Sequence, residues 1–192
     1  LVKLLEDRSV IEDTIIVFTS DNGGLVSTES TKFSGEYGHT SSGHLRGSKG
    51  QIYEGGHRVP LIMRWDGIVP LGERRSHVVG LNDLFATLCE LADIKVPYGH
   101  AIDSKSFSSY LIDLNQENLR MALGVWRMFK REFQAEAIRV GRFKLIRNRK
   151  NGNLQLYDLD ADISETRNLI LDKKYEAHIQ FMLRKLIEIG PC

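Results

Sequence analysis

Asp21 and Asn22 stand at the end of an apolar, β-branched run, Thr14-Ile15-Ile16-Val17-Phe18-Thr19-Ser20, and Gly23-Gly24 follows them. A carboxylate beside a carboxamide offers two hard oxygen donors, the kind taken by Ca²⁺ or Mg²⁺. The run reads as a buried strand, and ligands of open α/β sheets bind outside the carboxyl ends of such strands. Asp-Asn-Gly-Gly is also good turn chemistry, so the pair alone leaves a plain turn open. A second stretch, Leu45-Arg46-Gly47-Ser48-Lys49-Gly50-Gln51-Ile52-Tyr53-Glu54-Gly55-Gly56-His57-Arg58-Val59-Pro60, sets Lys49 between two glycines. A lysine ammonium is a compact point charge suited to an anion, and glycine neighbours let backbone approach a ligand. Arg46 and Arg58 could meet the same anion; a structural ion pair is the alternative for each, with Glu54 a candidate partner for Arg58. His39, His44 and His57 lie in loop-like sequence, where a solvated ring competes with a role as ligand or proton donor.

These residues need elements to hold them. Leu1 to Asp13 reads as the end of a helix running directly into the strand, an αβ unit that implies a parallel sheet. Leu25 to His44 is a long Ser-, Thr-, Gly- and His-rich loop, and loops of that length in compact domains are usually functional or disordered. Gly55-Gly56 reads as a tight turn delivering a strand over Val59 to Trp65. An extended run follows at His77 to Leu81, then a helix over Leu84 to Asp93, capped by Asn82 or Asp83. Its expected buried side is Leu84, Phe85, Leu88, Leu91 and Ala92. A short helix is expected over Ser104 to Leu111.

After Asn115 the pattern becomes short strands: Met121 to Trp126, Gln134 to Val140, Arg142 to Arg147 and Leu154 to Leu159, with Gly141 and Asn151-Gly152 as turns. Tyr175, Ile179, Met182, Leu183 and Leu186 then recur at helical spacing over Lys173 to Ile189. The expected organisation is residues 1–115 as part of an α/β domain with a mostly parallel sheet, and 116–192 as a small antiparallel α+β subdomain. Arg and Lys are dense between Arg120 and Lys150; they read as the solvent face of that sheet, offset by Asp158, Asp160, Asp162 and Glu165, rather than as a polyanion site.

A net charge of +1 with 27% charged residues gives no reason to expect a nucleic acid partner, and no apolar run is long enough to span a bilayer. The chain opens on Leu1, so the lack of a signal peptide says nothing. Cys89 and Cys192 form no framework; Cys89 sits in an apolar helical pattern and reads as a packed thiol.

The ordered pair S-D-N-G-G and L-R-G-x-K-G-x-x-Y-E-G-G-x-R-V-P resembles the sulfatase family of the alkaline-phosphatase superfamily. Gly141-Arg142-Phe143-Lys144-Leu145-Ile146, Leu156-Tyr157-Asp158-Leu159 and Glu165-Thr166-Arg167-Asn168-Leu169 resemble the same family's C-terminal run. The resemblance implies that Asp21 and Asn22 are Ca²⁺ ligands and that Lys49 touches the sulfate, with His44 and Arg46 as weaker substrate contacts. It implies a sulfated small molecule or saccharide as substrate, and a secreted, periplasmic or lysosomal setting. The family nucleophile is a formylglycine made within C-x-[PA]-x-R, and that motif is absent: Cys89 precedes Glu90-Leu91-Ala92, and Cys192 is last. The expectation is therefore the C-terminal part of a calcium-dependent sulfatase, inactive and poorly soluble by itself. The alternatives are a phosphate or phosphonate ester hydrolase of the same superfamily, or a non-catalytic remnant with a binding or structural role.

Overall fold

The computed structural model describes residues 1–25, 40–113, 115–116, 122–130 and 133–189. The chain forms two compact units that interleave in sequence: Leu1–Ser20 with Pro60–Leu119, and Asp21–Val59 with Arg120–Cys192. This differs from the expected division at residue 115. The physical reason is that Ile52 and Tyr53 pack on the late sheet.

In the first unit, α1 (Val2–Asp7) is capped by Arg8 and followed by Ser9, whose φ is 55°. It precedes β1 (Ile16–Thr19) as expected, but β1 pairs antiparallel with β2 (Leu61–Arg64), Ile16 opposite Arg64 and Thr19 opposite Leu61. The parallel neighbour implied by the αβ reading is not seen among the described residues. His77 to Gly80, read as a short strand or an extended run, carries no strand, and Leu81 lies in a turn. Phe18 and Ile62, directly opposed in the register, are 61% and 60% exposed, so this face of the ribbon is bare where a buried strand was expected.

Helix α3 (Asp83–Leu91) also differs from its apolar pattern. Phe85 and Leu88 are exposed, while Asp83 and Thr87 are buried. Polar contacts explain this. Asp83 accepts from the N–H groups of Gly80 and Lys105, and the Thr87 hydroxyl donates to Asp83 O and accepts from Phe107 N. Asn82 occupies the cap position without a side-chain cap bond. The expected helix at Ser104 is shorter, α4 (Ser108–Ile112), with Phe107 and Tyr110 buried. Cys89 is a half-buried free thiol; Cys192 lies outside the described residues.

The second unit is a four-stranded antiparallel meander, β3 (Ala122–Lys130), β4 (Phe133–Val140), β5 (Phe143–Asn148) and β6 (Leu154–Asp158). Strands alternate their side chains between faces. Ile138, Phe143, Leu145 and Leu156 form one buried layer with Ile179, Met182 and Leu186 of α5 (Glu176–Glu188). Ala135, Ala137, Ile146 and Tyr157 form another, packed with Ile52 and Leu159. Both faces are covered, so β5 buries four residues in succession, Phe143 to Ile146. Lys144 is among them with 0% exposure, which corrects the expectation of a solvent-facing basic strand. No helix among the described residues is long and apolar enough to cross a membrane.

Candidate active site

All the residues singled out for chemistry lie in the second unit. Asp21 and Asn22 follow β1 by two and three positions, and the Asn22 carboxamide donates to the Asp21 carboxylate. The pair is accessible: Asp21 is exposed and Asn22 half-buried. Behind it the two glycine motifs pack backbone to backbone. Gly23 N–H donates to Gly56 O at 3.1 Å, and a Cβ at Gly23 would fall 1.8 Å from Gly55 O. The Lys49 N–H donates to Gly24 O at 2.9 Å, so the lysine loop is fastened to the Asp-Asn-Gly-Gly segment. Lys49 is exposed, and its flanking Gly47 and Gly50 both have φ of +80°.

Gly55 and Gly56 do not form the tight turn expected of them. They lie inside one helical turn, α2 (Glu54–His57), buried against the carbonyls of Arg46, Gly47, Ser48 and Gln51. Side chains are excluded there because backbone already fills the space. His44 is exposed in a turn, and His39 lies outside the described residues. Arg46 makes structural contacts, the alternative weighed for it beside a substrate contact. Its guanidinium donates to the Tyr157 hydroxyl at 3.0 Å and to Glu165 O at 2.9 Å, and lies 3.8 Å from the Tyr53 ring centroid. Arg58 meets Glu54 at 3.2 Å.

Beneath this surface lies a charged cluster that the sequence did not announce. Lys144 Nζ sits 2.9 Å from Glu54 Oε1, 2.9 Å from Glu165 Oε1 and 3.1 Å from His57 Nε2. Glu165 Oε2 accepts the Glu54 N–H at 2.7 Å. Burial raises the Glu54 carboxyl, but Lys144 and His57 outweigh it and hold Glu54 below its ordinary value. Burial wins at Glu165 and pushes that carboxyl up. One ammonium thus serves two carboxylates unequally.

Burial and the Lys144 charge bring His57 down to about 4. Its ring is neutral at pH 7, so Nε2 accepts from Lys144, and the 3.6 Å approach to Glu54 is not an ion pair. Below pH 6.5 the unfolded chain binds a proton at this residue that the folded chain refuses. Stability should therefore fall as pH drops from 6.5 towards 4, with an upper bound of about 3 kcal/mol from this residue. Urea midpoints across that range should show the loss, and His57→Gln should flatten it. An equal slope in the variant would assign the loss to other groups.

Comparison with known proteins decides the family. The family model described as Sulfatase matches residues 1–94. An N-acetylgalactosamine-6-O-sulfatase of Bacteroides thetaiotaomicron is 31% identical over 88% of this chain and 35% of its own length. The chain belongs to the sulfatase family. A solved protein from a Bacteroides thetaiotaomicron core locus for the metabolism of multiple glycosaminoglycans superposes with a TM-score of 0.80 at 27% identity, over 97% of this chain and 41% of that one. A phosphonate monoester hydrolase of Agrobacterium radiobacter superposes at 0.71 and 25% identity, over 97% and 36%. The sulfatase chain spans about a third of the curated relatives it matches, 35% and 32% of their lengths.

Does the sulfatase pair suit a calcium ion? Asp21 and Asn22 each carry a side-chain oxygen of the right chemical type, although the contact between them runs from the Asn22 amide nitrogen to an Asp21 oxygen. Exchanging the Asn22 amide O and N, which is an assignment made from hydrogen bonding, would turn a second oxygen towards the same point. They fit as part of a ligand set, since Ca²⁺ takes about six to eight oxygens. Among the described residues no three His, Cys, Asp or Glu side chains come together as a group that could hold a metal ion. Lys144 and Glu165 carried one signal in advance: both stand in the run that resembles the sulfatase C-terminal pattern. Strand alternation alone could not single out Lys144 as buried.

Proposed function

We propose that the protein carrying this chain hydrolyses sulfate esters, with sulfated saccharides as the favoured substrate class. The observation that carries the reading is the 2.9 Å hydrogen bond from Lys49 N–H to Gly24 O, which fastens a lysine loop to the Asp21-Asn22 segment. The relative named N-acetylgalactosamine-6-O-sulfatase supports the saccharide. Asp21 and Asn22 would hold Ca²⁺ through their side-chain oxygens. That ion, when bound, supplies Lewis-acid and template chemistry for the sulfate group. Lys49 supplies an ammonium to bind the sulfate and to stabilise charge on the leaving oxygen. The nucleophile, a formylglycine in this reading, comes from outside this chain.

The likeness to a phosphonate monoester hydrolase favours a second reading, in which the same site takes phosphate or phosphonate esters. A non-catalytic remnant is the third. The experiment compares wild type and Lys49→Ala of the protein carrying this chain on an aryl sulfate and an aryl phosphonate. Lys49→Ala should lower kcat on the sulfate by about 10²–10³-fold, the range for losing one preorganised charge-stabilising donor. Its urea midpoint should not move, because Lys49 is exposed. Faster turnover of the phosphonate by wild type would favour the second reading, and no turnover of either the third.

A further inference from the structure

The buried cluster lies directly behind the backbone that presents the metal-ligand pair. Glu54 opens the helical turn α2, and the next two residues are the glycines against which Gly23 packs. Gly23 is bonded to Gly56 O and adjoins Asn22 in the chain. The Gly55 N–H donates to Arg46 O at 2.7 Å, and Arg46 in turn donates to Glu165 O. Glu165 grips the same turn a second time through the Glu54 N–H. It does so in the left-handed region, at φ 52°, a conformation that costs a non-glycine residue free energy and is kept where surroundings over-determine it. Lys144 joins the two carboxylates from β5, a strand fixed by pairing on both sides.

We propose that Lys144 is a positioning residue for the Asp21-Asn22 pair, acting through Glu54, the Gly55-Gly56 turn and Gly23. The inference rests on the reading of that pair as metal ligands. Lys144 touches neither substrate nor metal. It holds Glu54 and Glu165 together, so that the turn keeps the height and tilt at which Gly56 O meets Gly23. A rigid backbone matters here because small displacements of oxygen ligands are felt directly in metal affinity, and groups that support ligands are worth about 10–100-fold in affinity or activity.

The test is calcium affinity by isothermal titration on the protein carrying this chain, alongside urea unfolding. Asp21→Ala is the reference and should abolish calcium binding. Lys144→Met, at a temperature where circular dichroism shows it folded, should bind calcium about 10–100-fold more weakly. On an aryl sulfate its kcat should fall more than its KM rises. Glu165→Gln keeps an acceptor for the Glu54 N–H but loses the charge facing Lys144. It should weaken calcium binding in the same direction, and it serves if Lys144→Met does not fold. A merely structural ion pair would lower the urea midpoint and leave the calcium affinity of the folded protein unchanged; that result overturns the proposal. If Asp21→Ala binds calcium normally, the metal-site reading itself fails and takes this one with it. Lost binding at Asp21 with wild-type affinity in the folded Lys144 or Glu165 variant removes the positioning role alone.

Discussion

Lys144→Met should cost about 3–5 kcal/mol of stability at neutral pH, the range for stranding a buried charge by removing its partner. Lys144 is wholly buried, and its ammonium faces two carboxylates and one imidazole. Methionine fills nearly the same space, so cavity formation adds little. What remains is electrostatic: Glu54 and Glu165 are left close together in a site that excludes water, with Arg58 the nearer cation at Glu54. Without the ammonium, desolvation and mutual repulsion raise both folded carboxyl values above their unfolded ones. A raised carboxyl favours the folded state at low pH and opposes it as pH rises through the folded value. The variant should therefore recover stability as pH falls, whereas wild type loses some through His57. Replacing all three groups, Glu54→Gln with Lys144→Met and Glu165→Gln, should cost less than Lys144→Met alone, because neutralised buried sites often equal the ion pair they replace. Urea unfolding at several pH values measures each of these. A single variant within about 1 kcal/mol of wild type, the scale of an exposed ion pair, would show that water reaches the cluster.

The C-terminal meander and its helix were legible because their signals are local. Alternation in β4 to β6 and the spacing of Ile179, Met182 and Leu186 state which faces are apolar. The limits of that reasoning appear at Lys144. Period two correctly puts it on the face opposite Leu145, but whether that face meets water depends on Ile52, about ninety residues away in the chain. The strand that precedes Asp21 was legible as an element, since its apolar run is rich in β-branched residues. Its partner was not, because the strand pairs antiparallel with Leu61–Arg64, which is distant in the chain and carries no local signal of that pairing. In the site, residue type and glycine context singled out Asp21, Asn22 and Lys49 as candidates, and the roles proposed for them come from the resemblance. The Glu54–Lys144–Glu165 cluster was not, since its members come from three separate segments and meet only in the folded unit.

Gly23→Ala should destabilise the folded protein by about 3 kcal/mol or more, the upper end for forcing extra atoms into a packed interior. The added methyl would lie 1.8 Å from Gly55 O, 2.7 Å from Gly55 C and 2.9 Å from Gly56 C. All three are backbone atoms, so no side chain can swing aside. Relief requires the Asp-Asn-Gly-Gly segment to move away from α2, which breaks the Gly23–Gly56 hydrogen bond and carries Asn22 with it. Gly43→Ala is the matched control. Gly43 has φ of +58° but open space where its Cβ would stand. That variant should lose only about 1–2 kcal/mol, the cost of a left-handed conformation in a residue with a side chain. The two glycines thus separate contact from conformation, one in close backbone packing and the other in a strained dihedral. Urea midpoints of the two variants against wild type give the comparison. Equal losses would mean that the two glycine motifs are not in backbone contact in solution.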